Sequence, residues 1–287
     1  MVSLWRNLPV TACPRDELWS VVQTTQDHRL VADLSCEPCG DAWVWLAFAP
    51  VWRVVVAFVI GNRPQANANL LLARGVPVTD DPLPVCTSEQ CPADKNSVLH
   101  PAGQWDRPPR RGCRGRRPKP QRQPPPDLLY AQVVQKRDNG RIVAGGTRIV
   151  LGEPAAIAAC LAASPVSQPL NPSFGERDTL TQRHHTRRRT RRTPGFSKDM
   201  TWFENQLWLS LADYHLGLPP ESLPDPLPLL QPTPGAGSPR KWRPVTPARA
   251  AGITAHVWTM TELLSYRVPV QFLDRLQEIE HLFPELD

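Results

Sequence analysis

The chain has 287 residues, a formal net charge of +6, 34 prolines and 41% hydrophobic residues. That is enough for one large or two small domains with a true core, although proline is far above average and aromatics other than tryptophan are sparse. Its 7 cysteines are odd in number and no secretory signal or other targeting motif is visible, which argues against a disulfide framework and predicts free thiols in a reducing cytoplasm.

The charge is unevenly spread. Residues 107–122 carry eight Lys or Arg and no acid, and residues 183–192 carry six Arg and two His. Setting those fourteen cations aside leaves 19 basic residues against 27 acidic ones, a body of net charge −8. Two concentrated basic patches on an acidic body point to nucleic acid or another polyanion. A solvated charge run is the plainer reading of either patch alone.

Asp16 to Val22 reads as a short strand opening on an acidic pair, followed by a polar loop ending at Gly40-Asp41. That loop holds Cys36-x-x-Cys39, a single pair with no second pair at zinc spacing. Ala42 to Gly61 is long enough to cross a membrane as a helix. Arg53 near its middle, Pro50 dividing it, and its Val, Trp and Phe content favour instead two strands, 42–48 and 52–60, joined by a tight turn. Strands apolar on both faces belong inside a covered sheet, with no membrane involved.

Gln65 to Arg74 predicts a short helix ending at Gly75, and Leu83 to Thr87 a strand running into Ser88-Glu89. The Pro- and Arg-rich residues 100–127 predict an extended or disordered segment. Asp127 to Val150 reads as a hairpin turning at Asp138-Asn139-Gly140. Helices are expected over 154–163, 171–192 and 197–216, the last packing through Trp202, Leu207, Leu209 and Leu211. A Pro-rich linker over 218–244 and short helices near 259–266 and 270–283 complete the chain. The expected units are an N-terminal remnant (1–12), a main domain (13–217) with an insertion at about 98–152, the linker, and a C-terminal helical segment (245–287).

Three carboxylates fall at telling places: Asp16 on the first strand, Glu89 at a strand end and Glu176 at a helix start. Carboxylates brought together on strand edges are the oxygen ligands that hard divalent cations require. On a helix, Glu176, Leu180, Arg183 and Arg187 would share one face, placing an acid beside a basic run. Each acid also has a plain structural reading: a strand-edge charge, a loop acid, and a helix N-terminal acid favouring the dipole. The order of elements, a strand with Asp, an apolar hairpin, a helix, a strand ending in an acid, an insertion and a helix with Glu, suits an α/β RNase H-like fold with a mixed sheet flanked by helices.

Several blocks carry a resemblance: DELWSVV at 16–22, GDAWVWLAFAPVWRVVVAFVIGNR at 40–63, TSEQCP at 87–92, SFGERDTLTQRHH at 173–185, TPGFSK at 193–198 and KWRPVTPARAAGITAHVWTMTELL at 241–264. In that order they resemble the DDE transposases of bacterial insertion sequences in the IS-one group, across nearly the whole chain from about residue 10. The resemblance implies an RNase H-like catalytic domain in the bacterial cytoplasm, associated with the nucleoid. It implies Mg²⁺ or Mn²⁺ held by Asp16, Glu89 and Glu176, and cleavage and strand transfer of transposon-end DNA into target DNA by a self-associating protein. Arg183, Arg187, Arg188 and Arg191, with Arg110, Arg111, Arg114, Arg116 and Arg117, would hold phosphates.

The chain departs from the family's pattern. Glu89 stands where an Asp is expected, Gln182 where a buried Leu is expected, and PPESLP at 219–224 differs from a PHESLR-like pattern. The family's N-terminal zinc ribbon and helix-turn-helix are not found before Asp16. A separate DNA-recognition protein would then have to supply them, or the chain is a truncated, drifting copy. The alternative reading is a catalytically impaired DNA-binding remnant.

Overall fold

The computed structural model describes residues 5, 8–25, 40–61, 65–75, 78–79, 85–89, 98–99, 103–107, 119–139, 141–167, 170, 173–186, 194–233, 235 and 237–268. It is an α/β structure whose main sheet has six strands and is flanked by helices. The strands are β1 (Ala12–Val22), β2 (Gly40–Ala49), β3 (Val54–Gly61), β4 (Val85–Glu89), and, after two short strands β5 (Gln104–Asp106) and β6 (Gln121–Gln123), β7 (Tyr130–Asp138) and β8 (Arg141–Leu151). Their spatial order is β3-β2-β1-β4-β7-β8. β2 runs antiparallel to both β1 and β3, β4 runs parallel to both β1 and β7, and β8 returns antiparallel to β7.

The apolar hairpin lies within the covered part of the sheet. Val44, Leu46 and Phe48 of β2 face one side, where helix α4 (Met200–Leu216) supplies Phe203, Leu207 and Leu211. Trp45, Ala47 and Ala49 alternate to the other side, against Ala68, Leu70 and Leu71 of helix α1 (Gln65–Gly75). Alternation at a period of two therefore places apolar side chains on both faces, as two covering helices require. Each fully buried side chain of this size contributes roughly 1.5–3 kcal/mol. The turn between β2 and β3 runs from Pro50 to Arg53, so Trp52 and Arg53 leave the predicted strand, and Arg53 adopts a φ of 56°.

α4 begins where Asp199 accepts the Trp202 backbone N–H at 3.0 Å and ends at Gly217. Its inward stripe is Phe203, Leu207, Leu211 and Tyr214. Trp202 and Leu209, expected to pack, are 69% and 41% exposed instead. A stripe that begins at Phe203 and repeats every three to four residues leaves both on the outer face. Inside, β3 shifts register beside Ala47 and Phe48. The Val55 N–H donates to His215 Nε2 at 2.9 Å and its carbonyl accepts from the Trp5 indole at 2.9 Å. Burial pushes the His215 imidazole down from 6.5 to about 3, so it is neutral.

Four expectations change. β1 starts at Ala12 rather than Asp16, because Ala12 to Arg15 are needed to pair with β4. Residues 130–151, grouped with the insertion from sequence, add β7 and β8 to the main sheet. Within 100–127, β5 and β6 form an antiparallel ribbon in which Arg122 lies over the Trp105 ring. The expected linker 218–244 holds a second ribbon, β9 (Pro224–Gln231) with β10 (Arg240–Pro244). Three more helices are short: α2 (Pro154–Ala162), α5 (Pro247–Ala250) and α6 (Met260–Ser265). Helix α3 (Ser173–His185) stops before Thr186, and residues 171–172, 187–192 and the helix expected near 270–283 lie outside the described residues. Among the described residues, no helix is long and apolar enough to cross a membrane.

Candidate functional site

β1 and β4 run parallel only from Ala12 to Arg15, and the last pair of their ladder is Arg15 with Ser88. Asp16 and Glu89 are each one residue beyond that pair, so they stand side by side where the two strands part. Adjacent strands are roughly 5 Å apart, and the period of two turns both side chains to the same face. β4 pairs onward with β7, bringing Val133 opposite Glu89.

α3 crosses this face. Its sheet-facing stripe is Gly175, Thr179, Gln182 and Thr186, all buried and spaced for one side of a helix. A Cβ on Gly175 would lie 3.3 Å from the Asp16 Cβ, so a residue without a side chain permits the close approach of helix to strand. One turn on, the Thr179 hydroxyl donates to Asp16 Oδ2. The other Asp16 oxygen, Oδ1, accepts the Glu17 backbone N–H at 2.8 Å. Glu176, next to Gly175, is exposed in the first turn of the helix.

A small cleft, open to solvent, results at this point. It is lined by Pro14, Arg15 and Asp16 of β1, Thr87, Ser88 and Glu89 of β4, Val133 of β7, and Gly175 and Glu176 of α3. Asp16, Glu89 and Glu176 thus come from three separate elements to one opening. They fit a hard divalent cation in kind, being oxygen donors. They do not close around one as they stand: among the described residues, no three His, Cys, Asp or Glu side chains are near enough to hold a metal ion together.

The opposite face of the same strands is built differently. Arg15 lies over the Tyr130 ring, 5.4 Å from its centroid. The Tyr130 hydroxyl meets Ser88 Oγ at 2.9 Å and accepts from Gln132 Nε2 at 2.7 Å, and Arg148 of β8 donates to Gln132 Oε1. Ser88 and Gln132 are buried, so this polar layer ties β1, β4, β7 and β8 together beneath the cleft. Cys13 and Cys86 are register partners beside it. Burial first, and then the neighbouring Cys86, push the Cys13 thiol up to about 12. It behaves as a core residue rather than as a nucleophile or metal ligand. Cys36 and Cys39 lie outside the described residues.

The basic residues divide. Arg183 is half-buried on α3. Arg110, Arg111, Arg114, Arg116, Arg117, Arg187, Arg188 and Arg191 lie outside the described residues. The helical line Glu176, Leu180, Arg183 follows the flank of α3 beside its buried stripe, with Leu180 50% exposed. Sequence reasoning missed Thr179 and the layer of Ser88, Tyr130 and Gln132. Thr179 left a faint signal in its helical spacing from Gly175. The layer could have been found only from the strand register.

Comparison with protein-family models, with curated proteins and with solved structures finds no match to this chain.

Proposed function

We propose that the chain is the catalytic region of a DDE transposase, an RNase H-like domain that cleaves DNA at transposon ends and transfers the strand to a target. The observation that carries this reading is the meeting of Asp16, Glu89 and Glu176, from two strands and a helix, at one solvent-open cleft. The same three positions are those the sequence resemblance assigns to the acids. In support, the chain runs in the expected order: strand with Asp, apolar hairpin, helix, strand ending in an acid, intervening segment, helix with Glu.

Mg²⁺ or Mn²⁺ bound there would activate a hydroxyl nucleophile and stabilise the leaving oxygen of a phosphodiester. The chain's own residues prepare the site. Thr179 and the Glu17 N–H fix the Asp16 carboxylate, Gly175 lets α3 sit against β1, and Glu176 at the helix start lines the same cleft. The Arg-rich segments supply phosphate contacts that are salt-dependent and largely independent of sequence.

A second reading, a DNA-binding remnant with impaired chemistry, is favoured by one specific feature. The donors do not close on a common ion, and the second acid carries an extra methylene. That methylene displaces a carboxylate by roughly 1 Å, a scale that can cost about 100-fold in rate. Strand cleavage of a transposon-end duplex in Mg²⁺, with a separate DNA-recognition protein added in trans, separates the readings. Weak wild-type cleavage, raised by Glu89→Asp and abolished by Glu176→Ala, supports the transposase. Equal cleavage by wild type and Glu176→Ala removes Glu176 from the mechanism. Salt-sensitive DNA binding with no cleavage by wild type or Glu89→Asp selects the remnant.

A further inference from the structure

The β9–β10 ribbon stands outside the main sheet. Its strands pair with each other as a separate two-stranded unit. Between 224 and 244 it carries three cations, Arg240, Lys241 and Arg243, against one carboxylate, Asp225. Asp225 is engaged, since Arg243 Nε donates to it at 2.7 Å. Arg240 and Lys241 remain exposed on β10, and between Lys241 and Arg243 the Trp242 indole is 52% exposed. Arg240 and Trp242 stand two residues apart on β10, and the pairing with β9 shifts register between them. Pro226 faces Trp242 across the ladder, and alternate prolines at 224, 226 and 228 stiffen β9.

An indole that buries itself in no core, held on a stiff ribbon beside a guanidinium and an ammonium, suits one kind of ligand. Unpaired bases stack on aromatic faces while their phosphates meet cations, and the stacking tolerates any sequence. A duplex offers phosphates but keeps its bases stacked on each other. We propose that the β9–β10 ribbon binds single-stranded DNA, with Trp242 stacking on a base and Arg240 and Lys241 holding the flanking phosphates. This rests on the proposed DNA-acting role of the chain but adds a contact surface apart from the acidic cleft. Exposure alone does not distinguish Trp242. Trp202 is more exposed, at 69%, yet it sits on α4 between Asp199 and Glu204 in sequence, and the nearby Lys198 lies over the Phe196 ring.

The test measures binding of the full chain to a labelled oligothymidylate and to a duplex of equal length, over a range of salt. Trp242→Ala is expected to weaken single-strand binding by roughly 5- to 100-fold and to change duplex binding little. Trp202→Ala should leave both unchanged. Arg240→Ala with Lys241→Ala should flatten the salt dependence on the single strand by about 0.7 per cation removed. Circular dichroism of each variant checks that the fold survives, and Trp242→Phe, which keeps a stacking face, should restore most of the affinity. Wild-type binding that is equal in Trp242→Ala overturns the ribbon inference while leaving the DNA-acting reading intact. Failure of wild type to bind either DNA overturns both. If Trp242→Ala abolishes self-association in sedimentation without altering single-strand binding, the exposed Leu229, Leu230 and Trp242 cover a second copy of the chain and the inference is wrong.

Discussion

The two halves of the main sheet are built on opposite principles. β2 and β3 are buried on both faces between α1 and α4, and nearly all their side chains are apolar. β7 and β8 form the other half, where Tyr130, Gln132 and Arg148 make a polar layer and β8 is an edge strand exposing Val143 and Ile149. The acidic cleft lies at the seam, where β1 and β4 part. One half supplies rigidity, and the other supplies polar groups and access. A charged site needs both, since apolar packing fixes the strand that bears Asp16 while an open edge lets a large ligand approach.

The contrast predicts unequal responses to truncation. Leu211→Ala, in the covered half, should cost about 2–5 kcal/mol in urea unfolding. Ile149→Ala on β8, 38% exposed, should cost less than about 0.5 kcal/mol. Similar losses for the two would show that β8 is covered by something the fold does not display.

A smaller effect separates the halves by pH. His215 lies only in the covered half, neutral, with its folded pKa lowered from 6.5 to about 3. A depressed histidine contributes stability that is fully present above 6.5 and lost as pH falls toward the folded value, because the unfolded chain takes up the proton first. Stability should therefore drop by roughly 1.4 kcal/mol per pH unit below about 6, on top of the general acid response. His215→Leu should be less stable at pH 7, since the Val55 N–H loses its acceptor, yet lose less on acidification. An identical acid limb in wild type and variant would mean that His215 is accessible to protons while folded.

At the seam the expected effect is smaller still. Thr179→Val removes the hydroxyl that donates to Asp16 while keeping the shape, and should cost about 1–2 kcal/mol. No loss of stability would show that water serves Asp16 equally well.

How far the sequence revealed these halves depends on the kind of signal each carries. The β2–β3 hairpin was legible because Pro50 and Arg53 divide a Val-, Trp- and Phe-rich run into two pieces of strand length. The β7–β8 hairpin was legible through Asn139, which takes a φ of 46° at the turn. Its place in the main sheet was not, because parallel pairing with β4 is long-range and leaves no local pattern. The β9–β10 ribbon was read as linker because alternate prolines resemble a spacer, although prolines are tolerated in a two-stranded unit with free edges. Trp202 is exposed and Phe203 buried, because the helical period that places Leu207 and Leu211 inward selects Phe203. At the cleft, Asp16, Glu89 and Glu176 were named from the order of elements. The Thr179 contact spans 163 positions and could not be read locally. Gln182, which looked like damage to a buried position, is indeed fully buried on the sheet-facing stripe of α3.

The proposed function requires the three carboxylates to act as one divalent-cation site. Calorimetric titration of Mn²⁺ into wild type, Asp16→Asn, Glu176→Gln and the exposed-surface control Glu221→Gln tests it without relying on catalysis. Saturable binding is expected for wild type and the control, weakened at least tenfold by either cleft substitution, with Glu89→Asp binding more tightly than wild type. Mn²⁺ binding of equal strength in wild type, Asp16→Asn and Glu176→Gln, or no saturable binding by wild type and Glu89→Asp alike, would contradict it.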